Sequence, residues 1–271
     1  MSEGTTPPDH EITVRRAEST ADYLACQDAQ RRAWGINEDG YVIPVATMVG
    51  ANLHGGMVLG AFDANGRAVG MSFAFMGRVG DRVCLYSQLT GVIPEYQSKG
   101  VGHALKVVQK QIALGEGFDL IAWAFDPLQA GNAHFNIERL GATISRYVEN
   151  MYGVRTDSLN AGVPTDRLIA EWEIGEMRSP RPPRPFQAFA NCPRLIATGW
   201  GSSSWLMPLG VATTPEAPTV LLEIPSKIGE LRKTHPDAAE AWRRAIKQAF
   251  QGGFAAGSRA TGFVRDGEGP D

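Results

Sequence analysis

The chain has 271 residues, 43% of them apolar and 20% charged, with a formal net charge of −3. This supports a folded core, in one large domain or in an ordinary domain plus a smaller one, and excludes global disorder. The near-neutral balance argues against a nucleic-acid binder, whose phosphate contacts show as a basic excess. The three cysteines, Cys26, Cys84 and Cys192, are far apart and form no Cys-x-x-Cys pair, so neither a disulfide framework nor a zinc site is expected. No metal is expected elsewhere. The opening "MSEGTTPPDHE" lacks a basic-then-apolar leader pattern, and no apolar run approaches the ~20 residues of a membrane span. A soluble, cytoplasmic protein without membrane contact is the expectation.

Residues 1–11 read as a flexible tail. "ITVRRA" reads as a short strand, and "STADYLACQDAQRRAW" as a helix capped at Ser19-Thr20. "VIPVATMVGANL" reads as a second helix that begins near Pro44. "MVLGAFDANGRAVGMSFAFMG" is a hairpin signature, with Asn65-Gly66 at the turn. "RVCLYSQLTGVIP" is a longer strand stopped by Pro94. From Val101 onward, Val101, Ala104, Leu105, Val108, Ile112 and Ala113 make one apolar helix face, with Lys106, Gln109 and Lys110 assigned to the opposite, solvent side. "DLIAWAF" suits a buried strand and "NAHFNIERL" a short helix closed by Gly141. "ATISRYV" and "RLIAEWEI" are further strands. This mixed order predicts an α/β or α+β sheet with packed helices. Beyond it, "RSPRPPRPF" holds four prolines and reads as a linker. "RLIATGW", "TVLLEIP", a helix over 236–250 and "ATGFVRD" follow as a smaller C-terminal α+β part.

The stretch "PEYQSKGVGHAL" carries the strongest chemical signal. A strand ends at Pro94, and Gly100-Val101-Gly102 opens a helix. Helix N-termini present unpartnered N–H groups at the positive end of the helix dipole, so such a turn favours an anion, phosphate first. The P-loop requires Gly-Lys-Ser/Thr, and this chain has no Gly-Lys pair. The dinucleotide fingerprint requires a third glycine where Leu105 stands.

Read more widely, "LTGVIPEYQSKGVGHAL" resembles the acetyl-CoA motif of the GNAT acyltransferase superfamily, met here by Val92, Pro94, Gln97, Gly100 and Gly102. The whole pattern is similar to longer acyltransferases of that superfamily with an added C-terminal part. The resemblance implies a GNAT-type, mostly antiparallel mixed sheet with helices on both faces and splayed fourth and fifth strands. It divides the chain into a tail (1–11), an acyl-CoA domain (12–175), a linker (176–188) and an extension (189–271). The co-substrate it implies is acetyl-CoA or another acyl-CoA. The backbone N–H groups of Gln97, Ser98, Lys99, Gly100, Val101, Gly102 and His103 would meet the pyrophosphate, and Val92 would hold the pantetheine arm and polarise the thioester carbonyl. Asn132 stands where the family often has an asparagine near pantetheine. The acid that many members supply as tyrosine falls here on Ile137.

Asp126, at the end of the fifth strand, and Tyr86, on the fourth, are read as candidate bases, and Tyr147 and Tyr152 as substitutes for the missing acid. "FDP" is equally ordinary turn chemistry, and Tyr86 suits a half-buried strand position. The tryptophans read as core, and Glu223 either lines an acceptor pocket or faces solvent. The reading is an N-acyltransferase acting on a primary amine of a small metabolite, with homodimerisation suggested by family habit. The alternatives are a non-catalytic CoA-binding regulator, or a succinyl-CoA-dependent amino-acid acyltransferase.

Overall fold

The computed structural model describes residues 12–153, 164–175, 184–201 and 205–265. The tail 1–11, most of the proline-rich stretch and the final six residues fall outside them. By strand pairing, seven strands form one sheet in the order β1-β2-β3-β4-β5-β7-β6, and two more form a hairpin, β8-β9. They are β1 (Thr13–Arg16), β2 (Met57–Phe62), β3 (Ala68–Val79), β4 (Arg82–Val92), β5 (Leu120–Phe125), β6 (Thr143–Val148), β7 (Arg167–Glu173), β8 (Ile196–Trp200) and β9 (Leu206–Val211). The helices are α1 (Thr20–Trp34), α2 (Val45–Leu53), α3 (Val101–Gly115), α4 (Ala130–His134), α5 (Ile228–Thr234) and α6 (Pro236–Ala255). By internal contact the chain divides into two units. The first is residues 1–123 with 154–163 and 173–177; the second is 124–153 with 164–172 and 178–271.

In the first unit, Ser19 caps α1 by accepting from the Asp22 N–H, while Asp22 accepts from the Ser19 N–H in return. β1 to β4 form an antiparallel meander, whereas β4 and β5 run parallel. β2 is buried along its whole length, and so is β3 from Ala68 to Ala74. Helices cover both faces. A Cβ on Gly91 would lie 2.2 Å from the Trp34 ring of α1, and one on Gly70 would meet Leu105 and Val101 of α3 at 3.3 Å. Gly91→Val is therefore expected to lower stability by about 1–3 kcal/mol through overpacking. Thermal unfolding would show this, and an unchanged midpoint would mean that Trp34 can move aside.

Lys106 and Gln109 do not lie on a solvent face. Both are buried, at 4% and 0% exposure, and turn inward onto β4. Their polar atoms find partners there, which side-chain periodicity cannot register.

The second unit has its own core. Ala238, Ala239, Trp242, Ala245, Ile246 and Ala249 form one stripe of α6. They pack with Leu128, Leu195, Ile196, Ile228 and Leu231. The Trp242 indole N–H donates to the Leu206 carbonyl, 2.8 Å away. α6 extends past the expected 236–250, and α5 and β9 have no counterpart in the sequence pattern. "TVLLEIP" makes no strand: only Leu221 bridges, to Arg194. Within "ATGFVRD", Ala260 alone pairs, exchanging both backbone bonds with Ile144 of β6. Trp123, Trp172 and Trp242 are core, but Trp200 is 78% exposed at the end of β8.

Candidate functional site

β4 changes partners along its length. Its ladder with β5 consists of Leu85–Ile121 and Tyr86–Ala122, and goes no further. One residue later β4 bulges. Ser87 pairs with Ala74 and Leu89 with Phe73, which leaves Gln88 as the extra residue. The extra residue breaks the two-residue alternation, so Ser87 and Thr90 both reach the α3 side, where Ser87 meets Lys106 and Thr90 meets Ser72. Beyond the bulge Gly70 pairs with Val92 and Ser72 with Thr90, while the Ile93 N–H donates to the Val69 carbonyl. Antiparallel alternation then turns the Val92 and Thr90 backbone groups away from β3, towards the side that β5 has left. The Val92 carbonyl is taken by the Gln97 side-chain amide, 3.0 Å away. The Val92 N–H and the Thr90 N–H and carbonyl remain as strand-edge groups. Such an edge accepts an extended, amide-bearing chain by backbone hydrogen bonds.

β4 runs directly into the glycine turn. Pro94–Tyr96 forms one 3-10 turn, and Ser98 and Gly100 both take left-handed backbone conformations, φ 59° and 80°. Gly100 is the N-cap of α3, and no side chain caps this helix. The first bond back into the helix runs from the Ala104 N–H to the Gly100 carbonyl, 3.0 Å. The N–H groups of the first turn of α3 therefore have no capping side chain, an arrangement that suits an anion in general. A Cβ on Gly102 would approach only Val92, at 3.8 Å. This glycine keeps the cradle open and is not forced by backbone strain. The Lys99 ammonium lies 5.0 Å from the Tyr96 ring centroid, at the edge of the same turn.

Beneath the bulge is a polar cluster that sequence patterning does not reveal. Lys106 Nζ donates to Ser87 Oγ (2.9 Å) and Gln109 Oε1 (3.1 Å), and lies 4.3 Å from the Trp123 ring centroid. The Gln109 amide donates to Ser72 Oγ (3.0 Å) and Ser87 Oγ (3.2 Å), and Ser72 exchanges a bond with Thr90 Oγ1 (2.9 Å). Burial pushes the Lys106 amine down to about 7. The sequence offers one clue, the polar residues Ser72, Ser87 and Thr90 inside otherwise apolar strands.

The proposed proton-transfer residues divide between the units. Tyr86 belongs to the first, its ring 5.4 Å from that of Phe75 and packed on Cys84, Leu120 and Ala122. Asp126 belongs to the second. Its Oδ1 accepts the Leu128 N–H (2.9 Å) and its Oδ2 pairs with Arg232 (3.2 Å), so the carboxylate closes a turn and anchors α5. Tyr152, also in the second unit, donates its backbone N–H to Thr165 and lies under the Arg167 guanidinium, 5.3 Å from its ring centroid. Asn132 is exposed on α4, and Ile137 is buried at 4%. Glu223 pairs with Arg194 at 2.8 Å and accepts from Thr198 at 3.3 Å.

Comparison with known proteins agrees with the strand arrangement. yncA of Salmonella typhimurium, described as an acetyltransferase and solved with acetyl-CoA, matches 63% of this chain and 98% of its own, at 22% identity and TM-score 0.50. The ribosomal-protein-S18-alanine N-acetyltransferase of Escherichia coli matches 64% and 99%, at 19% identity and TM-score 0.47. The phosphinothricin acetyltransferase of Sinorhizobium meliloti, in complex with acetyl-CoA, matches 63% and 93%, at 17% and 0.48. No family model and no curated protein matches the sequence. The fold is that of the GNAT acetyltransferases, carried in a longer chain.

Proposed function

We propose that this protein is an acyl-CoA-dependent N-acyltransferase, most simply an N-acetyltransferase, that acylates a primary amine of a small metabolite by direct attack. The observation that carries this reading is β4 itself. It parts from β5, bulges at Gln88, presents the edge groups of Thr90 and Val92, and enters an uncapped helix N-terminus. A thioester with a pantetheine arm and a pyrophosphate has complementary parts in that order: amides for the strand edge, then phosphates for the turn. The N–H groups of residues 98–103 would take the pyrophosphate; that of Gln97, expected to join them, instead donates to the Pro94 carbonyl, 3.3 Å away. The Val92 N–H would stabilise charge on the thioester oxygen as it develops. The domain assignment, 12–175 for CoA and 189–271 as an extension, belongs to the same proposal. So do cytoplasmic placement and a homodimer.

An amine arrives protonated at neutral pH, so a base must act. Tyr86, Asp126 and Tyr152 are the groups proposed for proton transfer, with Asn132 near the arm. Removing the one that acts is expected to lower kcat by about 10²–10⁴-fold. Single Phe and Asn variants, assayed by CoA release, would identify it. A set of variants that all keep full kcat would remove these residues from the mechanism.

The buried Ile137 at the usual acid position favours a second reading, a CoA-binding regulator without turnover. Release of free CoA thiol in the presence of pooled small amines separates the two. Turnover supports the transferase, and tight CoA binding with no release under any amine supports the regulator.

A further inference from the structure

Lys106 stands at the point where the two strands part. The last paired residues are Tyr86 on β4 and Ala122 on β5, and the next residue on each strand is Ser87 and Trp123. Lys106 touches both of them: its ammonium donates to Ser87 Oγ at 2.9 Å and sits 4.3 Å from the Trp123 ring centroid. Gln109, one helical turn on, holds the third contact and ties the same cluster to Ser72, and through Ser72 to Thr90 beyond the bulge. The side chain is 4% exposed and, among the described residues, makes no ion pair. A cation is costly to bury, and an apolar residue of similar length would fill this space without that cost. Its retention at the first unpaired residue of each strand points to a geometric task.

We propose that Lys106 is a positioning residue, a wedge from α3 that sets where β4 leaves β5 and so shapes the strand edge against which the acyl-pantetheine arm lies. The inference rests on the acyl-CoA reading above. Lys106 acts through β4: it fixes Ser87 on one side of the Gln88 bulge and, by way of Gln109 and Ser72, Thr90 on the other. The edge groups of Thr90 and Val92 are thereby held in register. The contacts of Lys106 go to Ser87, Gln109 and the Trp123 ring, away from the glycine turn at the start of its helix, so the wedge acts on the arm and not on the phosphate end.

The test compares two probes by calorimetry: acetyl-CoA, and 3′-phospho-ADP, which carries the phosphates without the arm. Lys106→Met keeps the length of the side chain and removes its donors. Acetyl-CoA affinity is expected to fall about tenfold, and 3′-phospho-ADP affinity to stay within about twofold. General loosening of the fold would weaken both probes together, and that result would overturn the wedge. So would an unchanged affinity for acetyl-CoA. If Lys106→Met does not fold, Ser87→Ala removes the acceptor at the fork while leaving the lysine, and the same arm-selective loss is expected, about threefold. Wild-type protein that binds neither probe would instead overturn the acyl-CoA reading on which the wedge depends.

Discussion

Asp166→Ala is expected to destabilise the second unit by about 3–5 kcal/mol, the cost of removing one partner from a buried ion pair. The Asp166 side chain is 3% exposed and serves three donors: Arg243 at 2.9 Å, the Tyr147 hydroxyl at 2.7 Å and the Asn150 N–H at 2.9 Å. Arg243 is also held in a bidentate pair by Glu240, at 2.7 and 2.8 Å, so α6, β6 and the Asn150 turn meet at one carboxylate. Removing it orphans a hydroxyl and an N–H as well as half-releasing a guanidinium. Burial alone would raise the Asp166 carboxyl, but the Asn150, Tyr147 and Arg243 bonds outweigh it and hold the group below the usual carboxylate range. The stabilisation is therefore complete above the unfolded carboxylate pKa, near ~4, and is lost as pH falls through the lower folded value. Urea unfolding at pH 7 and pH 3 checks both points. The gap between wild type and variant should be large at pH 7 and narrower at pH 3, and a gap independent of pH would contradict the ionic account.

Lys106 makes a prediction of the same sign in a higher pH window. Its folded pKa is depressed to about 7 by burial, from an unfolded value of 10.5. Between those values the unfolded chain holds a proton that the folded chain lacks, so stability rises with pH across that window. Below about 7 the ammonium is buried at full cost, and above the unfolded value the gain is complete. A tenfold difference in proton affinity is worth about 1.4 kcal/mol, which puts the total on the order of a few kcal/mol. Lys106→Met lacks the titration altogether. From pH 6.5 to 9.5 the unfolding free energy of the wild type relative to the variant should shift in the wild type's favour by about 2–4 kcal/mol. Parallel behaviour would mean that water or a rearranged side chain relieves the burial.

Much of the fold is legible in the sequence where local chemistry decides structure. Ser19 marks the start of α1, Asn65-Gly66 the hairpin, and Gly141, with φ 76°, the end of the turn after α4. The glycine turn is readable because its spacing belongs to the strand and helix on either side of it. What escapes is set by tertiary partners. Lys106 and Gln109 look like a solvent face by period alone, and only Ser72, Ser87 and Thr90, brought from two other strands, make their burial possible. The bulge at Gln88 has no signature in "YSQLT", since it exists only in the register with β3. Leu221 sits in an apolar run that reads as a strand, yet it forms a single bridge because the hairpin partner comes from "LMPLGV". The ion pairs of Asp126 with Arg232 and of Glu223 with Arg194 are tertiary in the same way and leave no mark in the sequence.

The central claim is that β4 and the turn after it bind an acyl-CoA. The most direct test is calorimetric titration of acetyl-CoA into the wild type and a Gly102→Glu variant. Space beside Gly102 is open, with Val92 the nearest contact at 3.8 Å, so the variant is expected to fold while placing a side chain and a negative charge in the cradle. The account predicts micromolar binding by the wild type and a loss of at least tenfold in the variant, with the same unfolding midpoint. Equal binding by both proteins, or no binding of acetyl-CoA or succinyl-CoA by the wild type, would contradict it.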